Sequence, residues 1–249
     1  MRKHYSPIIY STLVLVTILF ISFALYENRL ELKDLGTGLI ALLGTVVGAT
    51  LAFRLNEDRE HEREHAEHRA ALNSALFIIA RQWNAIHFLS REIEPYTTPF
   101  DRAFNFPPSK PPPYKDLTFQ FETLDFLLES NEVNTLFRLS VEQESFHQVI
   151  ASLDVRNEFY VRELQPEMAK LSLSGKSVTL EEAQSLLGER LFGTALNCAE
   201  SFHSHIAVSM KSLREMHEEL WGVAKRLYPN YKFVVFNTDL RVAARPSAG

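Results

Sequence analysis

His61, Glu62 and His65 form the pattern H-E-x-x-H. On a helix, histidines four residues apart share a face and can hold zinc through two imidazoles, with the glutamate between them as general base. The surroundings oppose that chemistry. Arg54 to Arg69 contain four arginines and six acids, with almost no apolar face to bury in an enzyme core. His68 follows His65 by only three residues, which is not the metzincin spacing of a third ligand. The segment reads first as a solvated, salt-bridged helix, second as incidental or regulatory metal binding by His61, His65 and His68, and third as a protease testable by Glu62→Gln.

Gly175-Lys176-Ser177 resembles the end of a phosphate-binding loop, but position 170, where the earlier glycine belongs, is Lys170 and no strand precedes it. The segment reads as an interhelical turn. His203 and His205 point to different faces of a helix, and Cys198, the single cysteine, lies near its apolar seam. Neither a G-x-S-x-G elbow nor an isolated carboxylate pair appears. No catalytic set and no cofactor are expected, so the expectation is a protein that is not an enzyme.

The elements that carry these residues divide at Phe53. Over its 249 residues the chain is 46% hydrophobic with a formal net charge of -5, values of an ordinary soluble protein. Yet Ile8 to Tyr26 and Leu35 to Phe53 are 19-residue runs without a charged side chain. At a rise of about 1.5 Å per residue each reaches about 28 Å as a helix, close to the hydrocarbon thickness of a bilayer. Arg2, Lys3 and the weak cleavage pattern Ser22-Phe23-Ala24 also suit a signal peptide, but the apolar stretch is longer than such peptides use.

Only Glu27 to Asp34 separate the two runs, so two spans must turn back as a hairpin. Arg2, Lys3, Arg54, Arg59, Arg63 and Arg69 outnumber Arg29 and Lys33 in the loop, which places both termini in the cytoplasm. Four of the nine glycines, Gly36, Gly38, Gly44 and Gly48, fall in the second run. Gly44, Gly48 and Ala52 recur every four residues, a small-residue stripe that packs either against the first span or against another copy of the chain.

No helix breaker interrupts Leu35 to Glu94, and Leu72, Leu76, Ile79, Trp83, Ile86 and Ile93 repeat at spacings of four and three, with Ser90 in the gap. Pro95 to Pro113 hold seven of the eleven prolines and exclude helix and central strand. The stretch reads as an extended linker or loop lying on the bundle, and its Pro108-Ser109-Lys110-Pro111 as a spacer more than as a peptide ligand. Phe146, Ile150, Leu153, Asn157, Tyr160 and Leu164 form a second seam that stops near Pro166, with Asn157 as a candidate for fixing register. Thr179 to Glu182 make a capping-box pattern. They open the longest seam: Phe192, Ala195, Ala199, Phe202, Ile206, Ser209, Leu213, Met216, Leu220, Val223 and Leu227. Tyr231 to Phe236 have the composition of one short strand.

The expected architecture is all-α: a transmembrane hairpin over residues 1–53, a juxtamembrane and amphipathic helix over 54–94 and a Pro-rich linker over 95–115. A coiled-coil-like helical bundle over 116–229 and a tail over 230–249 follow. Membrane lipids are the expected partners of the hairpin. The acidic balance argues against direct nucleic-acid binding.

The order of these features, a hairpin (Ile8 to Tyr26, Leu35 to Phe53), a charged juxtamembrane helix (Arg54 to Arg69) and an amphipathic helical region (Ala71 to Glu94), resembles bacterial abortive-infection membrane proteins. These include the two-span effectors that accompany retrons and other antiphage systems. The resemblance covers the first 94 residues. It implies a protein partner or nucleoprotein complex on the cytosolic bundle that triggers membrane damage and arrests the infected cell. A membrane-anchored scaffold that localises a partner through its seams is the alternative.

Overall fold

The computed structural model describes residues 18, 22–23, 32–111, 117–171 and 179–235. The described residues are helical or irregular, with no strand among them. Helix α1 runs Leu32–Ile93, α2 Phe126–Glu129, α3 Val133–Phe159, α4 Gln165–Lys170 and α5 Leu180–Leu227. The chain divides into two compact units, residues 1–64 and 65–249, so the α1 helix contributes to both.

The first unit contains the apolar start of α1. Of the first expected span, only Ile18, Ser22 and Phe23 lie among the described residues; these three are helical and exposed. The rest of Ile8 to Tyr26, and the turn of the expected hairpin as far as Glu31, lie outside the described residues.

The second unit is a bundle of the C-terminal part of α1 with α3 and α5. Ion pairs and hydrogen bonds fix its directions. Glu132 meets Arg226, Thr135 meets Glu219 and Glu142 meets Ser212, so α3 and α5 are antiparallel. His68 meets Tyr228 while Trp83 meets Arg214, so α1 also runs against α5. The α1 and α3 helices are therefore parallel, and the chain between them must travel back along the length of the bundle.

That return path is residues 94–132, and it is packed. Going down the bundle, Arg102 reaches Glu200, Ser109 reaches Asn157, Phe119 reaches Gln143, and Phe126 stacks on His68. The expectation of a linker without helix is corrected. Thr98 caps a turn in which its hydroxyl accepts from the Asp101 amide (3.0 Å) and donates to the Asp101 carboxylate (2.6 Å), and a π-helical turn follows over Asp101–Asn105. Pro99 stands at the first turn, where no intrahelical N–H is needed. Phe104, Phe106, Phe119, Leu124, Phe126 and Leu127 are all buried.

The seam residues of the helices fill two cores. Leu72, Leu76, Ile79, Trp83, Ile86 and Ile93 of α1 join Phe146, Ile150 and Leu153 of α3 and Phe202, Ile206, Leu213, Met216, Leu220 and Val223 of α5. A smaller cluster gathers Phe104, Leu164, Leu187, Phe192, Ala195 and Ala199. At the gap in the α1 seam, Leu89 is fully buried and Ser90 only half-buried.

Three expectations about helix ends and registers change. Helical structure does not stop at Pro166. A π-helical turn over Tyr160–Leu164, closed by the Gln165 amide donating to the Tyr160 carbonyl, resets the hydrogen-bond ladder so that Pro166 falls in the first turn of α4. Asn157 does not act in the seam. It donates to the Ser109 carbonyl at 2.5 Å and accepts from the Ser109 amide, fastening the return path. The described part of the C-terminal candidate strand, residues 231–235, is irregular chain lying on the bundle.

The Thr179 capping box is present, with the Glu182 amide donating to the Thr179 hydroxyl (3.3 Å) and the Thr179 amide donating to the Glu182 carboxylate (2.9 Å). The α5 helix is kinked at Gly188, whose φ of 74° and ψ of 160° lie where only glycine rests without strain.

Candidate functional site

The first candidate feature is the exposed apolar stretch of α1. Ile40, Leu42, Leu43, Val46, Val47, Leu51 and Phe53 are 43 to 73% exposed, and none of the most apolar 18-residue window is buried. Fully burying one such side chain is worth about 1.5–3 kcal/mol. Seven of them left in water forgo an energy comparable with the whole net stability of a domain, about 5–15 kcal/mol. Among the described residues, α1 is one helix long and apolar enough to cross a membrane.

Its two polar interior residues behave as an apolar solvent requires. Thr45 donates to the Ala41 carbonyl (2.9 Å) and Thr50 to the Val46 carbonyl (2.7 Å), so neither hydroxyl depends on water. Gly44 and Gly48 have open space where a Cβ would stand, and Ala52 is exposed beside them. The small-residue stripe is uncovered among the described residues.

The H-E-x-x-H residues do not converge. His61 lies 3.6 Å from Glu64 on an exposed face. His65 and His68 instead turn their Nδ1 atoms to one acceptor and donor, the Tyr228 hydroxyl, at 3.4 and 3.1 Å, and the His68 ring stacks on Phe126 with centroids 4.0 Å apart. No group of three or more metal-ligating side chains is assembled among the described residues. The Gly175-Lys176-Ser177 turn lies outside them.

Cys198 borders an open groove between α3 and α5, lined also by Ser152, Val155, Asn197 and His205. Burial pushes its thiol above the ordinary range, only partly offset by the nearby Arg156 guanidinium, so the thiolate needed for nucleophilic chemistry is disfavoured. His203 and His205 are half-buried on α5, and His205 lines the same groove as Cys198.

Sequence reasoning missed the polar groups inside the bundle. Gln82 of α1, fully buried, donates to the Leu117 carbonyl (3.1 Å) and to Gln143 (3.3 Å). Gln143 in turn accepts from the Phe119 amide and donates to the Leu117 carbonyl. Glu142 is buried, accepts from Ser212 at 2.6 Å, and burial holds its carboxyl above the usual range. Burial likewise holds the His217 imidazole below its ordinary value.

Arg156 is pushed down to about 10 by burial and stays charged at neutral pH. It donates to the carbonyls of Phe106 and Pro107 and covers the rings of Phe106 and Tyr160. Arg102 pairs with Glu200 at 2.7 Å and donates to the Thr97 carbonyl. The signal for these roles was faint: a lone arginine beside an asparagine in α3, facing an aromatic and proline-rich segment short of donors.

Gln82, Gln143, Arg102 and Arg156 join backbone to helix, and Glu142 joins α3 to α5. The arrangement is suited to holding a multi-part bundle together. No protein-family model matches the chain, nor does any curated protein or solved structure.

Proposed function

We propose that the chain is a non-enzymatic membrane effector of antiphage abortive infection, held in a bacterial inner membrane by two spans with both termini in the cytoplasm. Ile8 to Tyr26 supply the first span and Leu35 to Phe53 the second. The observation that carries the reading is that one helix, Leu32–Ile93, bears an exposed bilayer-length apolar stretch and, further along, the buried seam Leu72, Leu76, Ile79 and Trp83 of the bundle. A protein partner or nucleoprotein complex on the coiled-coil-like bundle shifts its equilibrium between two packings by differential affinity. The altered bundle then acts on the hairpin, whose Gly44, Gly48 and Ala52 stripe joins copies of the chain in the membrane.

The second reading is a passive membrane-anchored scaffold. It is favoured by one apolar ridge, Val133, Phe137 and Val141, left exposed on α3. Exchanging residues 1–53 for an unrelated two-span anchor separates the two. The effector loses its ability to depolarise cells, whereas the scaffold keeps its partner and its function.

A further inference from the structure

The segment after α5 grips one face of α1. The Tyr228 hydroxyl lies between His65 and His68, and Arg69 stands over the rings of Tyr228 and Tyr231, 5.8 and 5.3 Å from their centroids. One turn on, Asn73 donates to the Tyr231 hydroxyl (3.4 Å) and accepts from the Val234 amide (3.0 Å). His65, His68, Arg69 and Asn73 thus form a continuous receiving strip. The boundary between the compact units falls immediately before it, between Glu64 and His65.

The gripping segment has no regular structure of its own. Lys225 folds it back by donating to the carbonyls of Pro229 (3.0 Å) and Tyr231 (2.7 Å); Phe233 is buried in the core, and Tyr228 and Val234 pack half-buried against it. Polar, largely exposed contacts of this kind open at lower cost than the apolar seams beside them. The seam of α5 ends at Leu227, so opening this segment leaves the three-helix core in place.

We infer that residues 228–235 are an autoinhibitory latch: they clamp the first turns of the bundle part of α1, and their release is the conformational step that frees this helix to act. This rests on the effector reading above. The latch holds through the Tyr228 hydroxyl, the aromatic faces on Arg69 and the two bonds of Asn73. A trigger that favours the released form has to outweigh these and the packing of Phe233, Tyr228 and Val234 on the core.

The test uses the full chain in three forms: wild type, Asn73→Ala with Tyr228→Phe, and Asn73→Cys with Val234→Cys in a Cys198→Ser background. Amide hydrogen exchange is measured in membrane nanodiscs, and a potential-sensitive dye reports depolarisation of bacterial cells against expression level. Loss of these hydrogen bonds raises exchange over 66–76 by on the order of tenfold, with 213–220 unchanged. The expression needed for depolarisation falls by a similar factor, because a minor active state becomes more populated. Closing the disulfide in the cells with a membrane-permeant thiol oxidant raises that threshold above wild type treated in the same way, and reduction restores it.

Depolarisation by wild type at high expression with an unshifted threshold in both variants overturns the latch and leaves the effector reading standing. No depolarisation by any form at any level overturns the effector reading and the latch with it. Raised exchange over 213–220 in the alanine variant marks a damaged core, and the disulfide variant then decides: an unchanged threshold on oxidation overturns the latch.

Discussion

His217 is held neutral by burial in the bundle. As pH falls through about 6.5 the unfolded chain takes up the proton first, so stability is present above that value and is lost below it until the folded ring also protonates. Glu142 runs the other way: its raised carboxyl takes up a proton in the folded state first, and the bundle gains stability as the pH falls toward the carboxylate range. The thermal midpoint of the wild type is therefore expected to drop between about pH 7.5 and 5.5 more than that of His217→Gln. Melting curves followed by circular dichroism check this.

Arg156→Met leaves the Phe106 and Pro107 carbonyls without their donor, at about 1–3 kcal/mol for each orphaned group. Arg156→Lys is expected to rescue little, because an ammonium cannot serve two carbonyls in a fork while lying flat on Phe106 and Tyr160. Gly188→Ala forces a side chain into a backbone region reserved for glycine, a cost of about 1–3 kcal/mol readable as a lowered denaturation midpoint. These residues were hard to read in the sequence for a common reason. A periodic pattern records which positions face a core, but not what a buried arginine binds, nor that a glycine in a helical run has a positive φ.

At the level of elements, the apolar seams were the most legible part. Ten consecutive α5 positions from Phe192 to Val223 recur at helical spacing and are buried together. Burial of one face is what selects that spacing. The return path between α1 and α3 was legible in part: residues 95–115 read as a linker or loop lying on the bundle because their prolines exclude helix, and residues from 116 onward read as part of the helical bundle. Phe104, Phe106, Phe119 and Phe126 supply the apolar surface that packs both stretches. Pro166 misled for a related reason, since a π-helical turn placed just before it removes the clash that ends ordinary helices.

The small-residue stripe also belongs to this scale. Replacing Gly44 and Gly48 by Leu fills open space within a single chain, so folding of the bundle is expected to be unchanged while close helix association is blocked. Cysteine crosslinking in membranes with Ala52→Cys in a Cys198→Ser background checks it: the crosslinked dimer of this form should be lost when Gly44→Leu and Gly48→Leu are added.

For the whole molecule, average composition conceals a division of labour. The second unit buries most of its seam residues in two cores and is fastened by a buried glutamine pair and two arginines. The start of α1 satisfies only its backbone and hydroxyls, leaving its apolar side chains for another solvent. Cells expressing the full chain, compared with cells expressing the same bundle on an unrelated two-span anchor in place of residues 1–53, test the central claim through a potential-sensitive dye. The account predicts depolarisation by the full chain and none by the exchanged form at equal membrane abundance. Equal potentials in the two, with both proteins present in the membrane, would contradict it.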